Sequence, residues 1–255
     1  MNYTLDFTGR RVFVTGSTLG IGRAVAEAFH SLGATVAVNG RSPESVDRLI
    51  SELGGGDRLI AAPGDIATGE GRKAAVRRAL DGLGGLDVLV NNAGRGDDAP
   101  VEAVTEEYWN AMLDLNLKAT FFVTKDCLPA LSKSKGNVVN VASVAGVISG
   151  PPGSSVYSTT KGAVVQMTRM LALHTAKDQV RVNTLCPGFI DTPMIRKDNE
   201  LTGGALFQFV EALTPLGRVG TAEECAGAVL YLAAPFAGYT TGAVLIADGG
   251  VTAGH

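Results

Sequence analysis

The chain has 255 residues, is 45% hydrophobic and carries a formal net charge of −3. That is apolar material for a full core, at a length which single α/β domains of up to ~250 residues reach. The absence of a long basic or acidic run, of a leader-like start, and of an apolar stretch near the ~18 residues of a spanning helix argues against nucleic-acid, export and membrane roles. Cys127, Cys186 and Cys225 lie far apart in the chain. They read as isolated buried thiols of a reducing compartment, with neither a disulfide nor a metal framework. A soluble, cytoplasmic protein without nucleic-acid or membrane partners is expected.

Apolar residues 12–14 lead into TGSTLGIG at 15–22 and a good helix former at 23–29. Strand, glycine-rich turn and helix form the context in which such a motif holds a phosphate. Gly16 permits the tight turn, Gly20 lets the backbone approach a phosphate, and Gly22 lets the helix pack on its strand. The helix N-terminus then offers free N–H groups and the positive end of its dipole to a pyrophosphate. Gly16, Ser17, Thr18, Gly20, Ile21 and Gly22 are the candidate cradle, with GxxxGxG spacing in place of the commonest GxGxxG. A second apolar run, 34–38, ends in NGRSP at 39–43. In a dinucleotide fold an acid ending this strand takes the ribose 2′-hydroxyl. Here Arg41 and Ser42 occupy the turn, and a guanidinium suits a 2′-phosphate in charge and donor geometry. NADP(H) is favoured over NAD(H).

A helix is expected at 44–53, a strand at 58–61 before Gly64, Asp65 and Ile66, a helix at 69–83, and a strand at 86–90 ending in NNAG at 91–94. A polar loop at 95–100 precedes two helices, 102–117 and 119–131, with Asn116 near their junction. A strand at 137–142, a helix at 156–175 and a strand at 180–185 follow, the last closed by Cys186, Pro187 and Gly188. The 190–215 stretch reads as an irregular, mobile flap with a short helical piece at 205–213. A helix at 222–233 and a strand at 243–246 complete the chain. Strands without polar alternation suit a parallel sheet buried on both faces, and their alternation with helices requires right-handed βαβ units. No linker or repeat interrupts the pattern, so residues 1–255 are read as one domain.

The stretch SVAGVISGPPGSSVYSTTK at 143–161 concentrates the chemistry. Tyr157 and Lys161 are four apart, hence on one helix face. That sets an ammonium beside a phenol, with the Ser143 hydroxyl arriving from the other end of a Gly/Pro loop. Taken alone, such a pair is common on solvated helices.

In order along the chain, TGSTLGIG, Asp65, NNAG, Asn116, Ser143, YSTTK at 157–161 and Pro187-Gly188 resemble the short-chain dehydrogenase/reductases, specifically their shorter single-domain branch. The resemblance spans nearly the whole chain. It implies a Rossmann-type, three-layer α/β fold on a doubly wound parallel sheet of about seven strands. It also implies Tyr157 as general acid for carbonyl reduction and base for alcohol oxidation, with Ser143 bonding the substrate oxygen. Lys161 would bind the nicotinamide ribose and lower the tyrosine pKa, and Asn116 would hold a water in a proton relay. Asp65, with Ile66, would meet the adenine; Asn92, Ala93 and Gly94 the adenosine-side ribose and nearby backbone. Pro187, Gly188, Ile190 and Thr192 would face the nicotinamide end. Two departures are an extra residue between Ser143 and Tyr157, near Pro151-Pro152-Gly153, and the cofactor turn without an acid.

A free phenol ionises near ~10, so bringing it to ~7 requires ~4 kcal/mol of differential stabilisation. An adjacent ammonium moves a pKa by ~1–3, so Lys161 alone falls short and the charged nicotinamide would supply the remainder. The expected activity is interconversion of a ketone and a secondary alcohol on a small-molecule substrate. A 3-oxoacyl thioester is the first expectation, and a polyol, sugar, steroid or small-ketone substrate the alternative. A non-catalytic cofactor-binding regulator, or an epimerase or dehydratase, fits the filled catalytic positions and short C-terminal region less well. Arg95, Ala145, Ile148, Phe189, Met194, Phe207 and Phe209 are the candidate pocket, and Arg196 and Lys197 read as solvated flap charges, with contact to an anionic carrier the alternative. A homotetramer through the long helices and the last strand is implied by the resemblance.

Overall fold

Seven short strands, each ending where a polar or glycine-rich segment begins, pair side by side in the computed structural model, which describes residues 5–150 and 153–254. They are β1 (Arg11–Val14), β2 (Thr35–Val38), β3 (Leu59–Ala61), β4 (Val88–Asn91), β5 (Asn137–Val141), β6 (Arg181–Pro187) and β7 (Val244–Ala247). All pair in parallel, in the order β3-β2-β1-β4-β5-β6-β7. The chain reverses direction of winding between β1 and β4. Beyond the carboxyl ends of those two strands lies the crevice where such sheets bind ligands.

Alternate strand residues feed two cores. Val12, Val14, Val36, Val38, Val88, Val90, Val139 and Val141 pack against α1 (Gly20–Ser31), α2 (Pro43–Glu52) and α9 (Ala222–Ala233). Phe13, Ala37, Leu89, Val138 and Val182 face α3 (Gly69–Leu83), α5 (Thr120–Ser134) and α6 (Ser155–Thr175). This gives the expected three layers.

The helix between β4 and β5 differs from the expectation of two. α4 (Glu106–Leu113) runs through a π-helical turn, Asp114–Ala119, directly into α5. Residues 101–103 form a separate 3₁₀ turn. A polar junction inside a helical pattern reads as a break, but one widened turn absorbs it without ending the helix. The 190–215 segment is also more regular than an irregular flap: α7 (Pro193–Leu201) and α8 (Ala205–Leu213) fill it. Pro193 at the first helical position and Thr192 as its cap set the start of α7, where the apolar pattern is weak.

A buried polar chain ties β4 to β5. Asn91 Nδ2 donates to Asn140 Oδ1 at 2.8 Å and to Thr124 Oγ1 at 2.9 Å, and Asn140 Nδ2 donates to Thr168 Oγ1 at 2.8 Å. Truncating Asn140 takes one buried partner from the Asn91 amide and one from the Thr168 hydroxyl, which keep Thr124 and the Val164 carbonyl, and the lost buried bonds cost ~1–3 kcal/mol. Asn140→Ala is expected to lower the unfolding free energy in urea by that amount with an unchanged m-value.

Candidate active site

The first turn of α1 is built for an anion. Leu19 at the head of α1 gives it no side-chain cap, as also at the starts of α5, α6 and α8, and its first turn holds no acid. The N–H groups there remain available, as a phosphate requires. Gly16 and Gly20 have φ of 60° and 56°. A Cβ on Gly16 would lie 2.7 Å from Ala93 Cα, and one on Gly20 would lie 3.3 Å from Thr192 Cγ2. The turn thus sits between the end of β4 and the base of α7.

Two asparagines hold it. Asn39, buried at the end of β2, accepts from Gly16 N at 3.1 Å and donates to the Ala62 and Gly64 carbonyls at 2.9 and 3.1 Å. Its backbone N–H donates to Ser17 Oγ at 2.8 Å. Asn92 Nδ2 donates to the Thr15 and Gly16 carbonyls at 3.1 and 3.0 Å. Gly22 makes that possible, since a Cβ there would come within 2.2 Å of Asn92 Nδ2 and 2.3 Å of Gly16 O. Gly22 therefore clears room for the Asn92 amide, a more specific task than close helix–strand packing.

The remaining cradle positions divide. Ser17 is fully buried in its bonds to Asn39, and Ile21 leans on the core, so neither side chain faces the crevice. Ile66 is buried with Ala75 and Ala119. Asp65 Oδ1 accepts from Ala67 N at 3.0 Å, and Ser42 Oγ caps α2 by accepting from Ser45 N at 3.3 Å. Arg41 is exposed at the head of α2 and Thr18 is partly exposed. A Cβ on Gly40 would lie 2.6 Å from Thr18 Cγ2 and 2.8 Å from Ser45 Oγ, so a side chain at that position would have to displace both. Gly188 abuts Asp248, Ile190 is buried against Gly220, and Thr192 caps α7. An uncapped helix start, a glycine turn and Arg41 fit a dinucleotide phosphate.

At the end of β5 the chemical groups converge. Lys161 is buried; its Nζ donates to Val141 O at 3.0 Å and stands 5.7 Å from the Tyr157 ring centroid. Burial pushes the ammonium down to about 8. Burial also raises the Tyr157 phenol above its ordinary value; the neighbouring Ser143 hydroxyl opposes this, while Cys186 and Asp98 add to it. Both groups thus carry a desolvation cost, the phenol's raising its pKa and the ammonium's lowering its own.

Asn116 stands on the π-helical turn. Its Oδ1 accepts from Arg95 N at 2.9 Å, while Nδ2 donates to Arg95 O at 2.9 Å and Thr160 Oγ1 at 3.1 Å. The side chain is thus committed to the loop after NNAG. Beside it, a Cβ on Gly94 would lie 3.2 Å from Asn116 Oδ1 and 3.3 Å from Lys161 Nζ. Sequence reasoning passed over Asn39 and Cys186. Asn39 was visible as the polar residue closing an apolar strand. Cys186, whose thiol burial pushes up to about 11, faces Ser143 N–H and lies within electrostatic reach of Lys161; nothing in its sequence context marked it.

Of the pocket candidates, Ala145, Ile148, Phe189 and Phe207 are partly buried, Phe209 is 61% exposed, and the Met194 side chain lies outside the described residues. Pro151 and Pro152, where the extra residue was expected, also lie outside them. Arg196 is paired with Asp191, Nε to Oδ1 at 2.6 Å. No group of three or more metal-ligating side chains occurs among the described residues, and no helix is long and apolar enough to cross a membrane.

The family model described as enoyl-(acyl carrier protein) reductase matches residues 16–252. The chain belongs to the short-chain dehydrogenase/reductases. It is 35% identical over 247 residues to nodulation protein G of Rhizobium sp. (strain N33), covering 96% of this chain and 98% of that protein. It is 37% identical over 251 residues to the 3-oxoacyl-(acyl-carrier-protein) reductase FabG of Thermotoga maritima, covering 95% and 98%. A short-chain dehydrogenase/reductase of unknown function from Caenorhabditis elegans, crystallised with cofactor, superposes with TM-score 0.89 at 30% identity over 97% of this chain and 96% of that one. As a member of this family the protein is an NAD(P)(H)-dependent oxidoreductase acting on CH–OH groups, with a small-molecule substrate.

Lys161 supplies a pH test of the site's burial. Its folded pKa of about 8 lies below the unfolded value near ~10.4, so between the two the unfolded chain binds more protons. Stability attributable to this group therefore rises with pH across that window, by ~3 kcal/mol in total. Relative to Lys161→Met, the wild-type protein is expected to gain unfolding free energy in urea between pH 8 and ~10.4, and to lag at pH 7.

Proposed function

We propose that this short-chain dehydrogenase/reductase reduces 3-oxoacyl thioesters with NADPH. The convergence of Tyr157, Ser143 and Lys161 at the end of β5, beside the uncapped α1 turn, carries the reading. Bound there, the nicotinamide supplies the hydride in reduction and accepts it in oxidation. Tyr157 Oη donates the proton to the carbonyl oxygen and recovers it when the alcohol is oxidised. Ser143 Oγ donates to the same oxygen and stabilises its developing charge. Lys161, held by Val141 O and bordering Gly94, binds the nicotinamide ribose. Asn116 positions the 95–100 loop through Arg95 and stands where the relay water would be held. Gly16, Thr18, Gly20, Ala93, Gly94 and the backbones of Ser17, Ile21, Ile66 and Asn92 line the dinucleotide, with Asp65 toward the adenine. Pro187, Gly188, Ile190 and Thr192 form the nicotinamide end.

Arg41 and the crowded space at Gly40 support NADP(H) over NAD(H). FabG-type relatives support the thioester substrate. We read residues 1–255 as one domain, with 190–215 moving as a helical flap, acting in the cytoplasm, where three free, buried thiols are at home. We also propose a homotetramer. A groove of about 510 Å³ lined by Leu113, Leu117, Phe121, Phe122, Ala163 and Met167 supports one interface, and exposed Tyr231, Phe236, Tyr239 and Ile246 around β7 a second.

Tyr157→Phe is expected to lower kcat by at least ~100-fold while the NADPH dissociation constant, read by fluorescence, stays within ~3-fold; full activity in that variant contradicts the mechanism. Arg41→Ala removes charge-assisted bonds and is expected to raise the NADPH KM ~10–100-fold with little change for NADH. An unmoved NADPH KM sinks the assignment.

A further inference from the structure

The loop at 95–100 forms a wall of the site. A Cβ on Gly96 would lie 3.3 Å from Tyr157 Cε2, and Ala99 N donates to Gly153 O at 2.9 Å, joining the loop to the segment that precedes α6. Between these two attachments stands Asp98, with its Cβ 3.4 Å from where a Gly153 side chain would begin. Asp98 is exposed at the rim, with no hydrogen-bond donor or cation paired to its carboxylate among the described residues. It is close enough to act on the Tyr157 phenol.

Three nearby cations are already engaged. Arg95 Nε donates to Asp97 Oδ2 at 2.7 Å, and Arg196 is bidentate on Asp191. Lys161 is buried and donates to Val141 O. Across the mouth, α7 brings Asp198 close enough to repel Asp98, with exposed Lys197 beside it in the chain. Loop 95–100 therefore presents an unbalanced negative charge where a substrate enters, with no free cation on the loop to answer it.

We propose that Asp98 is a specificity-determining residue that admits carbonyl substrates uncharged next to the reacting carbon and turns away 3-oxo acid anions. This rests on the reading of Tyr157 as the reacting site. A thioester or ester masks the carboxyl group that a free 3-oxo acid would set against Asp98. The two carboxylates would then meet at the entrance, and like charges at such a distance repel even through partly aqueous surroundings. The Asp98 carboxylate can also accept a bond from a hydroxyl or amide N–H on the admitted substrate.

The test uses ethyl 3-oxobutanoate and the 3-oxobutanoate anion with the cofactor-loaded enzyme, by calorimetry for binding and NADPH oxidation for turnover. Wild-type protein is expected to bind the ester at least ~10-fold more tightly, about 1.4 kcal/mol. In Asp98→Asn, and in wild type at 1 M salt, that ratio is expected to fall at least ~3-fold. Asp198→Asn is expected to move it less. A ratio equal in wild type and Asp98→Asn, or failure of either form to bind the ester, overturns the inference. Selective binding of the ester without turnover keeps Asp98 as the filter and removes the 3-oxoacyl reading instead, so the two fail separately.

Discussion

The buried ammonium of Lys161 is the constraint on which the site depends. Among the described residues it bonds the Val141 carbonyl at 3.0 Å and no carboxylate pairs with it. A cation in that position is costly, and burial draws its pKa toward neutrality. The cost is sustained by the β5–α6 frame: Asn140 grips Thr168 on the helix, and Gly146 lies against the Lys161 backbone so closely that a Cβ there would sit 2.5 Å from its carbonyl carbon. Position is thereby fixed before any ligand is considered, and Tyr157 shares the fixed helix.

The same economy explains the cradle. Several polar residues that a motif assigns to the cofactor are spent on shaping the turn. Asn39 and Asn92 together bind Gly16 at its N–H and carbonyl, and Ser17 locks to Asn39. What remains toward the crevice is backbone: the first-turn N–H groups of α1 and the space over Gly16, Gly20 and Gly94. Phosphate recognition by peptide groups tolerates this division, because the anion needs donors and proximity and not particular side chains.

Much of this was legible in the sequence because buried parallel strands advertise themselves. All seven runs, from 12–14 to 243–246, correspond to strands, and 69–83, 205–213 and 222–233 match helices to the residue. Local signals sufficed there: apolar runs, Thr68 and Thr221 caps, and Gly84 in the left-handed region at the end of α3. Legibility ended where tertiary contact decides. Asn116 looked like a helix boundary but lies inside a continuous helix on a π-helical turn. The Ile66 side chain is buried in the core, which leaves only its backbone for a ligand contact. Ser42, expected at the cofactor's 2′-phosphate, also caps α2 by accepting from Ser45 N. The net direction of the Tyr157 shift is not legible from spacing, which places an ammonium near a phenol but cannot weigh its charge against the burial of both.

That last point is the central claim: burial raises the Tyr157 phenol in the protein alone, and we propose that its activation draws on charge brought by the cofactor. The direct measurement is a pH titration of ζ-¹³C-tyrosine NMR signals in cofactor-free protein, with Tyr157→Phe to identify the resonance. The account predicts a midpoint above the ordinary value of ~10. A midpoint at or below ~8 would show that Lys161 and Ser143 activate the phenol by themselves, and would contradict it.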